Sequence, residues 1–374
     1  MNQGRSEGRA FRHFTKVVAF FAVLLIWWGA ATTTKMAGMA FADWPLSLGS
    51  INPDGWLRHM VPFLEHSHRL LATWVGVLVL VLFGWVYVDS GKRAFELLGL
   101  VVALAIVFGV FVAAGAERVD VVRKNRLLLA GTVLAFLPTA WLVWSWRWRS
   151  WRLIEKLSAL ALLLVTIQAI LGGLRVTEIS NTFAVIHGCL AQVFFCLLIL
   201  IVMAAGTKWG DNGLAGRSSL IRFARFSGIV LVAMTSLQLI VGASMRHFHR
   251  HGLADTGILK TRGEWIPPLD EPIVALMFFH KFTAVCLLVA ALAMWLRCVR
   301  HRGDGDGRAV GHLAVVLGLL LCQALLGMTV IATEKDFWVT NFHVLNGLAI
   351  LAVSFVFLVK AWRGRAAEPP FAKS

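Results

Sequence analysis

Four histidines open apolar stretches of this chain, where an ionisable group has least reason to be. The segment "PFLEHSHRLLATW", Pro62 to Trp74, puts Glu65, His66, His68 and Arg69 at the mouth of a long apolar run, and His187, His280 and His343 open three further runs in the same way. Each follows a glycine near the end of the preceding run: Gly29 to His68 is 39 residues, Gly172 to His187 is 15, Gly242 to His280 is 38 and Gly327 to His343 is 16. Three of these glycines stand four residues after a glutamine, in "QAILGGLRV" from Gln168, "QLIVGASMR" from Gln238 and "QALLGMTVI" from Gln323. A lone helical histidine is more often a polar contact than a ligand. Four in repeat register reverse that reading, because ionisable groups inside spans are costly and usually functional. Two histidines from two helices of one bundle are what a six-coordinate heme iron needs axially, and imidazole suits iron. Zinc asks for four ligands at one point, or three and a water, which two separated pairs do not supply.

The remaining histidines have plainer readings. His13, His301 and His312 lie in or beside basic segments, and His59 and His66 belong to a loop and a helix mouth. His247, His249 and His251, in "MRHFHRHG", read as a solvated basic patch, with a metal or propionate contact as the alternative.

The elements that must position the four are membrane spans. Of the 374 residues 58% are hydrophobic and 15% charged, with a mean hydropathy of +0.74, far from the balance of a soluble domain. Apolar runs near 15–34, 69–88, 94–115, 127–146, 154–174, 183–205, 223–245, 273–297, 309–332 and 342–361 are each long enough to cross the hydrocarbon core. The first is too long for a cleavable signal and no small-residue cleavage site follows it, so it is expected to remain as a helix. The larger share of Lys and Arg falls in the N-terminus (Arg5, Arg9, Arg12, Lys16), in Lys92 and Arg93, in 147–156, 208–225 and 297–308, and in the tail. By the positive-inside rule this places both termini in the cytoplasm of a bacterial-type inner membrane and the histidines toward the outside. The net charge of +16 lies in short loops beside spans, which favours anionic lipid over nucleic acid as its partner. The five cysteines all fall in or at the ends of spans, without metal-type spacing.

The alternation of long and short gaps between glycine and histidine marks an internal duplication of a four-helix unit. The expected fold is an all-α membrane protein of about ten spans, two repeated four-helix transmembrane bundles plus an inserted helical hairpin. Residues 1–210 form the first bundle with the hairpin at about 90–150, and residues 211–374 form the second, with "GTKWGDNGLAGRSS" (Gly206 to Ser219) as the joint. The hairpin is expected at the periphery. "WLVWSWRWRSWR" at its end reads as an interfacial anchor of tryptophans and snorkelling arginines.

These motifs together resemble the heme A synthase family, which oxidises heme O for cytochrome oxidases. "EHSHR" (Glu65 to Arg69) is similar to that family's Glu-x-x-His-Arg motif, and "FADWPLS" from Phe41 to its Pro-Asp-Trp-Pro loop. "QAILGGLRV" with His187, "FFHKFTA" around His280 and "NFHVLNG" around His343 extend the likeness over nearly the whole chain except roughly 90–150. The resemblance implies that His68 and His187 hold the substrate heme O. It implies that His280 and His343 hold a heme b that passes electrons, and that the position-eight methyl is oxidised stepwise to a formyl. Glu65, one helical turn before His68 and at the helix mouth, is then the candidate catalytic carboxylate, for proton transfer or for stabilising developing positive charge. Arg69, Arg175, Arg246 and Lys281 are candidates for propionate or helix-mouth contacts, with a structural ion pair an equal reading of Arg69. The implied partners are a heme O synthase, a quinol or other electron donor, and membrane lipid; an oligomer is compatible with all of this. Two departures stand out: the cysteine pair many members carry around the loop is replaced by Phe41 and Ser47, and an arginine expected four residues after Gly29 is Thr33, leaving Lys35 to replace it. The competing readings are a diheme b-type electron-transfer or quinol-oxidising cytochrome, which has no use for Glu65, and a heme transporter or chaperone.

Overall fold

The computed structural model describes residues 8–117, 120–211, 213–248, 253–305 and 307–366. Arg5, His249 and His251 lie outside the described residues. Ten helices among them are long and apolar enough to cross a membrane: α1 (Arg9–Thr34), α2 (Met60–Tyr87), α3 (Gly91–Ala116), α4 (Val121–Trp144), α5 (Leu153–Thr177), α6 (Asn181–Ala205), α7 (Ser218–Phe248), α8 (Pro272–Arg300), α9 (Arg308–Ala332) and α10 (Phe337–Trp362). The protein is an all-α membrane protein. Several helices outrun their apolar runs by one to three turns, because the polar flanks contain no breaker and are capped. The side chains of Ser90, Asp120, Ser180 and Asp336 accept the free N–H groups at the starts of α3, α4, α6 and α10, and Pro272 begins α8, where its missing N–H costs nothing.

The chain divides into two compact units, Met1–Gly206 and Thr207–Ser374. In the first, α1, α2, α5 and α6 close a ring in which α1 packs on α2 and α6, and α5 packs on the same two. The hairpin of α3 and α4 leans on this ring through α5. In the second unit α7, α8, α9 and α10 close a ring in the same cyclic order. Each ring places one long and one short connection at the end that carries the paired histidines.

At the opposite end of the first unit the hairpin is tied down by charge. Glu155, 3% exposed, accepts from the Arg152 backbone N–H at 2.8 Å, from Arg152 Nε at 3.1 Å and from Arg93 at 3.3 Å. Arg149 forms a fork on Glu96 at 2.9 and 3.0 Å, and the Tyr87 hydroxyl donates to the same carboxylate. The tryptophan-arginine segment is therefore only partly an interfacial anchor. Trp144 and Trp148 are exposed, but Trp151 is buried against Tyr87 and Phe83, because Arg149 and Arg152 turn inward to reach their carboxylates.

Truncating Glu155 to alanine removes the acceptor of the Arg152 backbone N–H and one partner each of Arg93 and Arg152, which costs about 1–3 kcal/mol for a buried polar group losing its partner. A lowered melting temperature of detergent-purified Glu155→Ala protein is expected. Arg123→Ala should leave it unchanged, since the Arg123 side chain is 71% exposed and its 3.6 Å pair with Glu117 contributes little.

Candidate functional site

The glycine-histidine pairs of the sequence are contacts in space. A Cβ built on Gly29 would lie 3.0 Å from His68 Cε1, on Gly172 3.2 Å from His187 Cε1, on Gly242 3.3 Å from His280 Cε1, and on Gly327 3.2 Å from His343 Cε1. Each glycine makes room for the imidazole of the following ring helix. The glutamines complete the pairing, because four residues separate each from its glycine and put both on one helical face. Gln168 Nε2 donates to the His187 carbonyl at 3.1 Å, Gln238 Nε2 to the His280 carbonyl at 2.9 Å, and Gln323 Nε2 to the His343 carbonyl at 3.1 Å. Helix α1 has no such glutamine and holds α2 differently, through Trp28 Nε1 to Ser67 Oγ at 2.7 Å.

His68 is the ninth residue of α2 and His280 the ninth of α8, while His187 and His343 are the seventh residues of α6 and α10. All four are thus two to three turns inside their helices. His68 lies within electrostatic reach of His187, and His343 of His280. The Nδ1 atoms of His68, His280 and His343 are buried without a hydrogen-bond partner, and His187 Nδ1 stands 3.1 Å from the Gln168 carbonyl oxygen. His343 Nε2 is 3.2 Å from Gln323 Nε2, an amide contact that ligation through that nitrogen would displace. Among the described residues no three His, Cys, Asp or Glu side chains converge as a bare ion would require. Paired imidazoles, three of them with an unsatisfied Nδ1 and each against a glycine cradle, fit a metal that brings its own equatorial ligands.

Above each pair the long loop is built in the same way. In the first unit the Asp43 carboxylate accepts from Leu48 N at 2.8 Å and Gly49 N at 2.7 Å, closing a turn between Ser47 and Ser50 with two left-handed residues, Leu48 at φ 53° and Gly49 at φ 72°. In the second, Asp255 accepts from Arg262 N, and the turn between Thr261 and Glu264 has Arg262 at φ 52° and Gly263 at φ 79°. The cation that follows each long-loop histidine clasps loop carbonyls. Arg69 donates to those of Asp43 and Leu46, both at 2.6 Å, and Lys281 to those of Gly257 at 2.6 Å and Lys260 at 2.9 Å. Three residues before each histidine an acceptor takes loop N–H groups: Glu65 Oε2 from Ala40 and from Phe41 at 3.2 Å, Met277 Sδ from Ala254 at 3.3 Å.

Glu65 is consequently not an open helix-mouth carboxylate. It is 3% exposed, and its second oxygen pairs with Arg69 at 2.5 Å, because α2 begins at Met60 and carries Glu65 down under the loop. Arg69 and Lys281 are held by loop carbonyls, while the Arg175 side chain makes no hydrogen bond among the described residues and lies within electrostatic reach of His68 and His187. Its guanidinium packs on Gly38, where a side chain would collide with it. Arg246 lies within reach of His343, and burial, with Arg246 close by, pulls the Lys335 ammonium below its usual range. Phe41 and Ser47 both meet His66, whose Nδ1 is 2.9 Å from Ser47 Oγ and whose ring lies 6.0 Å from Phe41. The Thr33 hydroxyl returns to the Gly29 carbonyl at 3.0 Å. His247 ends α7. Asp255 and Met277 escaped the sequence reading, although "FAD" at Phe41 and "LAD" at Leu253, 14 residues after Gly29 and 13 after Gly242 to their aspartates, carry the signal.

The glycine contacts give a direct test. Gly172→Val and Gly327→Val force a branched side chain into the imidazole, an overpacking that costs about 1–3 kcal/mol, and should lower the melting temperature. Gly188→Ala, with nothing within 4 Å, should leave it unchanged or slightly raised.

Known proteins resemble this chain over most of its length. A heme A synthase from Halalkalibacterium halodurans is 20% identical over 94% of this chain and 96% of its own length. Heme A synthases from Rhodopseudomonas palustris and Methylobacterium radiotolerans are 26% and 25% identical, over 66% and 98% of this chain and 70% and 95% of their own. Residues 125–355, running from α4 into α10 through His187, His280 and His343, match the cytochrome oxidase assembly protein family, and the relatives extend the likeness across the first unit. The chain belongs to the cytochrome oxidase assembly protein family.

Proposed function

We propose that this protein is a heme A synthase, an oxidoreductase that converts the position-eight methyl of heme O to a formyl by stepwise methyl hydroxylation. The observation that carries the reading is a symmetry and a charged exception to it: two alike histidine pairs under alike loops, with a carboxylate, Glu65, where the other unit has Met277. His68 and His187 hold the substrate heme, and His280 and His343 hold heme b. When bound, heme b supplies one-electron transfer. Glu65, surrounded by the Arg69 guanidinium and two loop N–H groups, acts as a fixed negative charge on the His68 side of the site, suited to stabilise positive charge that develops as the methyl is oxidised. Arg175 in the first unit, and Arg246 with Lys335 in the second, are the cations placed to meet propionates. Residues 1–210 thus make the substrate half and 211–374 the electron-transfer half.

The basic segments at the ends remote from the histidines support insertion in the cytoplasmic membrane with both termini inside. Heme O synthase supplies the substrate; each hydroxylation of the methyl consumes an external oxidant such as dioxygen, and a quinol or other donor supplies the two electrons that reduce its second oxygen atom to water.

Co-expression with a heme O synthase, followed by extraction and chromatography, should yield heme A; unchanged heme O beside bound heme b would favour a diheme cytochrome instead. His280→Ala and His343→Ala should each strongly reduce the low-spin heme b spectrum, and normal spectra in both would remove them as ligands. Glu65→Gln, and Glu65→Met in imitation of the second unit, should retain heme b and accumulate heme O while heme A falls steeply. Near-normal heme A from either well-expressed variant would reduce Glu65 to a loop anchor.

A further inference from the structure

The two long loops differ in what lies behind them. In the first unit the residue after Asp43 is Trp44, and its ring is seated on Gly173 so closely that a Cβ there would lie 2.5 Å from ring atoms. Its carbonyl oxygen would lie 2.7 Å from a Cβ on Gly115 of α3, and its ring meets Phe111 edge-on at 4.9 Å. Phe111, Val107, Ala114, Leu128 and Ile170 bury themselves around it, joining both hairpin helices to α5. Trp44 is one residue from Asp43, whose carbonyl Arg69 holds beside His68. Gly173 is one residue from Gly172, which faces His187. A single side chain therefore connects the hairpin to the supports of both imidazoles. In the second unit the residue after Asp255 is Thr256, no hairpin is inserted, and the loop's Trp265 is 65% exposed.

We propose that the α3–α4 hairpin is a positioning element of the first site and that Trp44 is the positioning residue through which it acts, holding the loop of residues 38–50 closed over His68 and His187. Packed outside the ring against α5, the hairpin forms the back wall against which this loop is set. A heme bound there loses part of its enclosure when the wall is removed, while the second site is untouched. The effect on heme O rests on the assignment of the first unit as the substrate half; the effect on the loop does not.

The test uses the full-length protein with its heme b, as wild type, Trp44→Ala, Trp44→Phe, Phe111→Ala, the Trp44→Ala/Phe111→Ala double variant, and Phe108→Ala as an exposed hairpin control. Amide hydrogen exchange in 47–50 is measured first, then heme O affinity by optical titration, with the low-spin heme b spectrum as internal reference. Trp44→Ala and Phe111→Ala should accelerate exchange in the turn and weaken heme O binding about threefold to tenfold, the scale of one lost aromatic contact. Trp44→Phe should recover most of both, Phe108→Ala should change neither, and the double variant should be little worse than the worse single, because the two residues act through one contact. Heme b should remain in all. Wild-type exchange and affinity in Trp44→Ala and Phe111→Ala would overturn the proposal, as would a double variant in which two independent effects multiply. Where Trp44→Ala does not accumulate, Phe111→Ala and Phe111→Leu carry the same decision. If wild type takes up no heme O, the substrate assignment fails and the exchange data still decide the role of the hairpin.

Discussion

An imidazole set two or three turns inside a lipid-embedded helix needs both space and a partner, and the architecture follows from meeting those two needs four times. Space comes from a glycine on the preceding ring helix, which brings the backbones within reach of the ring. The partner helix is fixed at that point by a glutamine amide bonded to the histidine's own carbonyl in three of four cases, a strong restraint where no water competes. Once glycine, glutamine and histidine are placed, helix neighbours and loop lengths are largely determined, and each ring closes with its imidazoles at one end.

The loops repeat that logic in backbone chemistry. An aspartate closes a left-handed turn, a cation beside the histidine gathers carbonyls, and an acceptor one helical turn earlier gathers N–H groups. Duplicated machinery makes the exceptions informative. Glu65 against Met277, Arg69 against Lys281 and Trp44 against Thr256 concentrate charge, fork geometry and bulk on the first unit. The second keeps the same scaffold with softer partners.

The histidine framework was legible because it is periodic. Glycine-to-histidine gaps and the glutamine register are one-dimensional traces of contacts between consecutive ring helices. Helix ends were less so: Glu65 looks like a mouth residue when α2 is started at its apolar run, and becomes buried once the polar turns from Met60 are included. The hairpin was visible as two spans, but its purpose was not, since Trp44, Phe111, Gly115 and Gly173 are far apart in sequence and each has an ordinary reading alone. The charge cluster of Glu96, Arg149, Arg93 and Glu155 was hidden likewise, because nothing local tells a paired arginine from a snorkelling one.

The inserted hairpin also sets an order of events during synthesis. The second ring consists of four consecutive helices and can close as soon as α10 emerges. The first cannot: α1 and α2 leave the ribosome without their ring neighbours α5 and α6, and α3 and α4 must enter the bilayer before those follow. Since domains emerging N-terminal first begin to fold during translation, half a ring carrying His68 and Glu65 waits at an open lateral face. The Tyr87, Arg93 and Glu96 cluster lies where the early hairpin meets α2, so it can hold α3 beside that unfinished pair until Arg149, after α4, and Glu155, in the first turn of α5, arrive to complete it.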